Sequence, residues 1–395
     1  MCYAAVMADA FIVEAVRTAI GVGKAGKGAL SGTRGDVLLA KVLRALVARA
    51  NVEPGAIEDV IAGVVTPIGE QGYNLARMAV LEAGWPVEVT GTTVNRMCGS
   101  SQQAIHQAAH SIMAGQADLV VGCGVEVMSR VPMGSDGMVG PNVWLPPPPE
   151  YPFEFVTQGT SAELIASKWS LARGELDQLS LESHQRAVAA QTSGAFDREI
   201  VPVEVTGADG QRRPFTKDEG PRPQTSLEKL ASLPTIFKAD GVVHAGNSSQ
   251  ISDGAAAVLL ASEAACKKYG LKKRAKITTT VTAGVDPVIM LTGVIPATQK
   301  ALARAHLSLA DVGLFEVNEA FASVVAAWRS ELGADWSKTN VRGGAIALGH
   351  PLGGSGARLM TTLLHALEDG GQRYGLQTMC IGFGQATATI LDRNV

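Results

Sequence analysis

Two thiols and one imidazole lie far apart in the chain, each in a setting suited to holding a reactive group still. Cys98 stands in Asn95-Arg96-Met97-Cys98-Gly99-Ser100-Ser101, directly before a helical pattern. His350 ends the run Gly343-Gly344-Ala345-Ile346-Ala347-Leu348-Gly349 and precedes Pro351. Cys380 closes an apolar strand in Met379-Cys380-Ile381-Gly382-Phe383-Gly384. A cysteine nucleophile, a base and a second thiol suit Claisen chemistry on thioesters, because a thiolate both attacks and leaves such a carbonyl readily.

Each group also has a plainer reading. Ala104, Ile105, Ala108, Ala109, Ile112 and Met113 form a helix stripe, with Ser100 or Ser101 as N-cap and Gly115 as stop. A cysteine before that start meets helix amides and the positive end of the macrodipole, so a lowered thiol pKa is expected; the alternative is a small buried core cysteine. The glycines around His350 allow close approach of backbone or ligand, which a core histidine does not need. Bare N–H groups after Cys380, at Gly382 and Gly384, can serve an oxyanion. Cys123 is read as the counterpart of Cys380 and assigned to the core. His106 and His110 have the i, i+4 spacing of a metal pair but no third ligand, so a packed or solvated helix face is expected and no metal. Asn318, in Asn318-Glu319-Ala320-Phe321, either fixes a water or a histidine or caps a helix. Gly246-Asn247-Ser248-Ser249 suits a ligand phosphate or amide, or is an ordinary turn.

The elements that must position these groups are α/β. The chain has 395 residues, 46% of them hydrophobic and 18% charged, with a net charge of −3. Such a length supports two domains or one large double domain. The charge balance gives no reason to expect nucleic acid, and no run approaches the roughly 20 apolar residues of a membrane span. Five cysteines without Cys-x-x-Cys spacing suggest neither a disulfide framework nor a zinc cage. No signal peptide is legible, residues 1–6 read as extra length before Met7, and a cytoplasmic setting is the expectation.

Apolar runs at Phe11–Val16, Val60–Val65, Leu119–Val121, Ala256–Leu260 and Leu314–Val317 read as buried strands. The stripes Val42, Leu43, Leu46, Val47 and Met360, Leu363, Leu364, Leu367 read as helices. The two halves echo each other. Asp59 and Thr66 match Asp311 and Asn318; Thr66 lies 32 residues before Cys98, and Asn318 lies 32 before His350. A helix and a strand carrying cysteine follow in both, which suggests a duplicated α/β unit. Residues 128–249 break the rhythm, with an exposed strut at Pro146–Pro149 and amphipathic stretches near 160–170 and 176–194. They read as an insertion in a first half made of 1–127 and 250–274, with 275–395 as the second half.

Together these motifs resemble the thiolase family, from about Ala10 to Asp392. The likeness rests on five segments: the one around Cys98, Gly246–Ser249 with Ser252-Asp253-Gly254, Asn318–Phe321, Gly349-His350-Pro351 and Cys380–Gly384. The resemblance implies two halves of βαβαβαββ type stacked as a five-layered αβαβα domain with an inserted loop domain. It also implies acyl exchange between 3-oxoacyl-CoA and CoA, with coenzyme A as substrate and no permanently bound cofactor, in a homodimer or homotetramer. Cys98 then resembles the acylated nucleophile, His350 its base, and Cys380 the acid/base at the acetyl-CoA carbon. His350, with a water on Asn318, resembles the enolate oxyanion hole. The backbone N–H groups of Cys98 and Gly382 resemble a second hole. Ser249, Ser248 and Arg222 match CoA-binding positions; Lys229 and Lys238 are more simply solvated lysines.

Thr157, Gln158, Phe321 and Phe383 match the acyl pocket, with two departures. Short-chain acetoacetyl-CoA thiolases usually read His-Met-Gly where this chain has Thr157-Gln158-Gly159, and glycine where it has Phe383. A degradative acyltransferase is therefore expected over a biosynthetic acetoacetyl-CoA thiolase. The rival readings are a ketoacyl-synthase-like condensing enzyme, which usually pairs cysteine with two histidines, and a non-catalytic thiolase-like lipid-binding protein.

Overall fold

The computed structural model describes residues 8–140, 143–206 and 210–395; the reading of residues 1–6 and Met7 falls outside them. Nine strands carry the architecture: β1 (Phe11–Thr18), β2 (Asp59–Gly63), β3 (Thr90–Val94), β4 (Leu119–Val127), β5 (Ser252–Ala261), β6 (Ala275–Gly284), β7 (Leu314–Val317), β8 (Tyr374–Ile381) and β9 (Gln385–Asp392). β4 and β5 are buried at every position, which is why they read as apolar runs without alternation. The run expected as strand to Val65 stops at Gly63. Beyond it the Val65 and Thr66 N–H groups leave the ladder and donate to the Glu126 carboxylate.

The sheet runs β7-β8-β9-β6-β1-β5-β4-β2-β3. In the first half β2 pairs parallel with β3 and β4, and β5 pairs antiparallel with β4 and β1. In the second half β7 pairs parallel with β8, and β9 pairs antiparallel with β8 and β6. A parallel bridge from Phe315 to Thr339 stands where the first half has β3. Both halves thus read third, second, fourth, fifth, first. They meet where β1 pairs with β6 through Phe11–Lys276 and Ile12–Ala275.

The ladders correct the register of the repeat. Asp59 pairs with Val120, and the matching first position of β7 is Leu314, paired with Gly375. Leu314, not Asp311, is therefore the counterpart of Asp59, and Asn318 answers to Gly63 rather than Thr66. Cys123 faces Ala62 as Thr378 faces Val317, so Cys123 corresponds to Thr378 and Cys380 to Val125. Matching short strings slipped by three residues, a distance that only cross-strand pairing resolves. Cys123 is nonetheless core, with its thiol on the Ile61 carbonyl at 3.4 Å.

Helices α1 (Gly35–Ala50) and α2 (Leu75–Glu82) cover the outer face of the first half. α3 (Ser100–Met113) and α8 (Leu352–Asp369) lie between the halves, while α6 (Val294–Ala305) and α7 (Ala322–Leu332) cover the second. These are the five layers. A Cβ on Gly356 would stand 2.2 Å from the Gln102 nitrogen, so only glycine lets α8 lie this close to α3. Gln102 and His106 of α3 bond the Thr389 hydroxyl of β9 at 2.7 Å, tying this layer to the second half. His110 reaches Thr280 at 2.7 Å. Among the described residues no group of three His, Cys, Asp or Glu could hold a metal, and no helix is long and apolar enough to cross a membrane.

Between β4 and β5 lie α4 (Gln158–Lys168) and α5 (Arg173–Thr192), two small strand pairs and the exposed proline segment. α5 docks on the second half: Ser183 donates to Glu319 at 2.7 Å.

Candidate active site

Cys98 and His350 hold equivalent places, each two residues before one of the paired central helices. The nucleophile turn is locked from inside. The Asn95 side chain accepts from Met97 N–H at 2.8 Å and donates to the Val65 carbonyl at 2.9 Å. Ser100 Oγ accepts from Arg96 N–H at 2.9 Å and donates to the Met97 carbonyl at 2.6 Å. Met97 takes a left-handed φ of 45°, a conformation that costs a non-glycine residue on the order of 1–3 kcal/mol and persists only where surroundings enforce it. Gly99 brings the turn against β8, where its absent Cβ would lie 2.4 Å from Ile381 Cδ1.

His350 is fixed through both ring nitrogens. Ser355 Oγ donates to the Pro351 carbonyl at 2.8 Å and so receives the Nδ1 proton at 2.5 Å. That network leaves Nε2 as the bare nitrogen, 3.3 Å from Asn318 Nδ2. Gly349, at φ 104°, gives close approach to Ser252, whose hydroxyl accepts from His350 N–H at 3.2 Å. Burial first, then the Arg358 charge, holds the imidazole pKa down at about 3, so the resting ring is neutral and its Nε2 unprotonated.

The Cys98 thiol is 3% exposed, and burial pushes it up to about 11. The Gly382 and Cys98 N–H groups and the Gln158 side chain favour the thiolate but do not outweigh burial. The lowered pKa expected from the helix end is thereby corrected: burial of the thiol pushes in the opposite direction and exceeds its hydrogen bonds. Cys380 is also pushed up, by burial and then by the charge of Cys98 beside it, while Asn318 and the Ala320 N–H act in the opposite direction. Asn318 thus faces both His350 and Cys380, and Gly382 faces Cys98. The three reactive groups surround one site. Asn318 Oδ1 is buried with no hydrogen-bond partner among the described residues, ready to accept from a water or substrate.

The remaining expected residues lie at varied places. Gln158, expected in the acyl pocket, turns its carboxamide to the Cys98 sulfur. Thr157 caps α4 through its hydroxyl, which accepts from Thr160 N–H at 3.1 Å. Phe321 packs behind the site, 6.2 Å from the Phe237 ring. Phe383 holds φ 65° with its side chain 44% exposed. Ser249 N–H donates to the Ala320 carbonyl at 2.9 Å and Ser248 bridges Phe321, zipping that turn to the Asn318 loop. Arg222 is exposed, and its N–H donates to His184 Nδ1 at 3.2 Å. Lys229 holds the Gln224 carbonyl, and Lys238 pairs with Asp240.

Glu126 escaped sequence reasoning. Buried at the end of β4, it accepts from Val65, Thr66, Gln71 and Gly353, joining the first half to the start of α8 beside His350. The only local signal was a carboxylate closing an apolar strand. Glu319 acts similarly in the second half, accepting from Ser183, Asn340 and Ile346.

Comparison with known proteins gives a concordant picture. The thiolase N-terminal domain matches residues 10–264 and the thiolase C-terminal domain residues 271–393. The chain is 49% identical to the steroid 3-ketoacyl-CoA thiolase FadA6 of Mycobacterium tuberculosis, over 98% of this chain and 95% of that one. It is 44% identical to a beta-ketoadipyl-CoA thiolase of Acinetobacter baylyi, over 98% and 100%. Human mitochondrial 3-ketoacyl-CoA thiolase superposes with a TM-score of 0.90 at 38% identity, over 99% and 100% of the two chains. With both domains matched in order and the relatives covered nearly end to end, the chain belongs to the thiolase family.

Proposed function

We propose that this acyltransferase works in the degradative direction, cleaving 3-oxoacyl-CoA through an acyl-Cys98 intermediate. As a thiolase it transfers acyl groups between 3-oxoacyl-CoA and CoA. His350 Nε2 takes the Cys98 proton, and the thiolate attacks the 3-oxo carbon. The alkoxide formed there accepts from the Cys98 and Gly382 N–H groups. The bond between the second and third carbons then breaks, and its electron pair becomes the enolate of acetyl-CoA. The enolate oxygen accepts from His350 Nε2–H and from a water on Asn318. The Cys380 thiol, kept protonated by burial, gives its proton to the enolate carbon. After acetyl-CoA leaves, incoming CoA gives its thiol proton to the Cys380 thiolate and attacks the acyl-Cys98 carbonyl. Cys98 departs as thiolate and recovers its proton from His350.

The observation that carries this reading is Asn318 turned to both His350 and Cys380, with Gly382 turned to Cys98. The second thiol, in place of a second histidine, favours it over a decarboxylating condensing enzyme. The three converging groups favour it over a non-catalytic lipid-binding protein. Exchange of labelled CoA into acyl-CoA by Cys98→Ala tests it: exchange is lost, and exchange at the parental rate removes Cys98 from the reaction.

Residues 128–249 are assigned to CoA binding, with Arg222, Ser248 and Ser249 as contacts. A homo-oligomer is part of the proposal, supported by β3 at the sheet edge and by the nearby exposed Tyr73, Met78 and Leu81. So is a cytoplasmic setting, which the four buried free thiols among the described residues support.

A further inference from the structure

Four aromatic rings lie together beside the site without being buried. Tyr151, Phe153, Phe155 and Phe383 are 40%, 54%, 52% and 44% exposed. Tyr151 stands 6.1 Å from Phe153 and 5.7 Å from Phe155, and Phe155 stands 5.2 Å from Phe383. Aromatic rings ordinarily pack to leave water, whereas these four pack in a row and keep one side wet.

The row is tied along the chain to the catalytic turn at two of its members, Phe383 and Phe155. Phe383 follows Gly382, whose N–H faces the Cys98 sulfur. Its left-handed backbone and the approach of its N–H to Met290 Sδ at 3.2 Å set the direction of the ring. Phe155 leads through Thr157, the cap of α4, to Gln158, which also faces that sulfur. An acyl group on Cys98 lies against Gly382 and Gln158, and the wall adjoins both through Phe383 and Phe155.

We propose that Phe383, Phe155, Tyr151 and Phe153 form a distal acyl subsite selecting 3-oxoacyl-CoA whose acyl group is a bulky alicyclic ring system. The wall is open rather than a tunnel, so a flexible chain laid on it loses rotamer freedom that nothing encloses, whereas a rigid ring arrives already ordered. This rests on the acyl-Cys98 reading and names the substrate class for it.

The test is kcat/KM for acetoacetyl-CoA, a linear long-chain 3-oxoacyl-CoA and a 3-oxoacyl-CoA bearing fused alicyclic rings, using the full chain, Phe155→Ala and Phe383→Gly. The glycine variant relieves the left-handed backbone, so loss of fold is not at issue. The parent prefers the ring substrate to both others by about tenfold or more. Each variant lowers that preference about tenfold, mainly through KM. A parental preference for acetoacetyl-CoA or for the linear chain overturns the proposal. So do variants that lose all three substrates equally, or a change of oligomeric state on size-exclusion chromatography, which makes the wall a subunit contact. Failure of the underlying reading looks different: no substrate acylates Cys98.

Discussion

Gly99 and Ile381 touch so closely that a methyl group on the first would stand 2.4 Å from Cδ1 of the second. Gly99 follows the nucleophile in the first half and Ile381 follows the second thiol in the other half, so this contact sets the spacing of the two sulfurs. Gly99→Ala forces the halves apart in a fully packed region. It lowers stability by about 1–3 kcal/mol and slows acylation. Adding Ile381→Val recovers part of both, as denaturant unfolding and single-turnover kinetics will show.

Gln158 is predicted to favour the Cys98 thiolate. Gln158→Leu keeps the bulk and removes the polar group, which leaves the thiol harder to deprotonate. Acylation slows by about tenfold, corresponding to one lost hydrogen bond to a charged group. Pre-steady-state bursts of the released acetyl-CoA measure this step alone.

Asn318→Ala removes the side chain that faces both His350 and Cys380. Loss of the side chain that holds the donor water at a developing oxyanion costs about a hundredfold in kcat. Steady-state turnover with KM little changed is the expected outcome.

The chemistry was legible at Cys98, His350 and Cys380 because glycine and proline mark backbones that must turn tightly or let a ligand near. The α/β class was legible from apolar runs too short for helices, and the duplication from their shared order. Three things were not. The register of the repeat needed Asp59 to be seen opposite Val120 and Leu314 opposite Gly375. Glu126 has no local signature, since its four partners come from residues 65, 66, 71 and 353. The direction of the Cys98 shift depends on burial between two halves, which the string Met97-Cys98-Gly99 does not encode.

Acid should unfold the protein through its histidines. Burial lowers His106 and His350 to about 3 and His184 to about 4, while each returns to about 6.5 on unfolding. The unfolded chain then binds more protons below pH 6.5, so this stability is present above that pH and falls as the pH drops towards 3. The midpoint of thermal unfolding declines steadily from pH 7 to pH 4, and His106→Gln makes the decline shallower.

The pairing of a neutral base with a protonated thiol fixes the pH behaviour of the reaction. With His350 at about 3 and Cys98 at about 11, the two keep one proton arrangement across the neutral range. The thiolate fraction of Cys98 therefore climbs about tenfold per pH unit up to 11, and alkylation of the resting enzyme by iodoacetamide climbs with it; a rate that stays flat from pH 6 to 9 speaks against this proton arrangement.

Incubation with acetyl-CoA alone, followed by peptide mapping by mass spectrometry, reads out directly which side chain carries the acyl group. A single acetyl group is expected, on Cys98, and it disappears when free CoA is added. An acetyl group on Cys380 or elsewhere, or none on a protein that turns over 3-oxoacyl-CoA, rules out the acyl-Cys98 route.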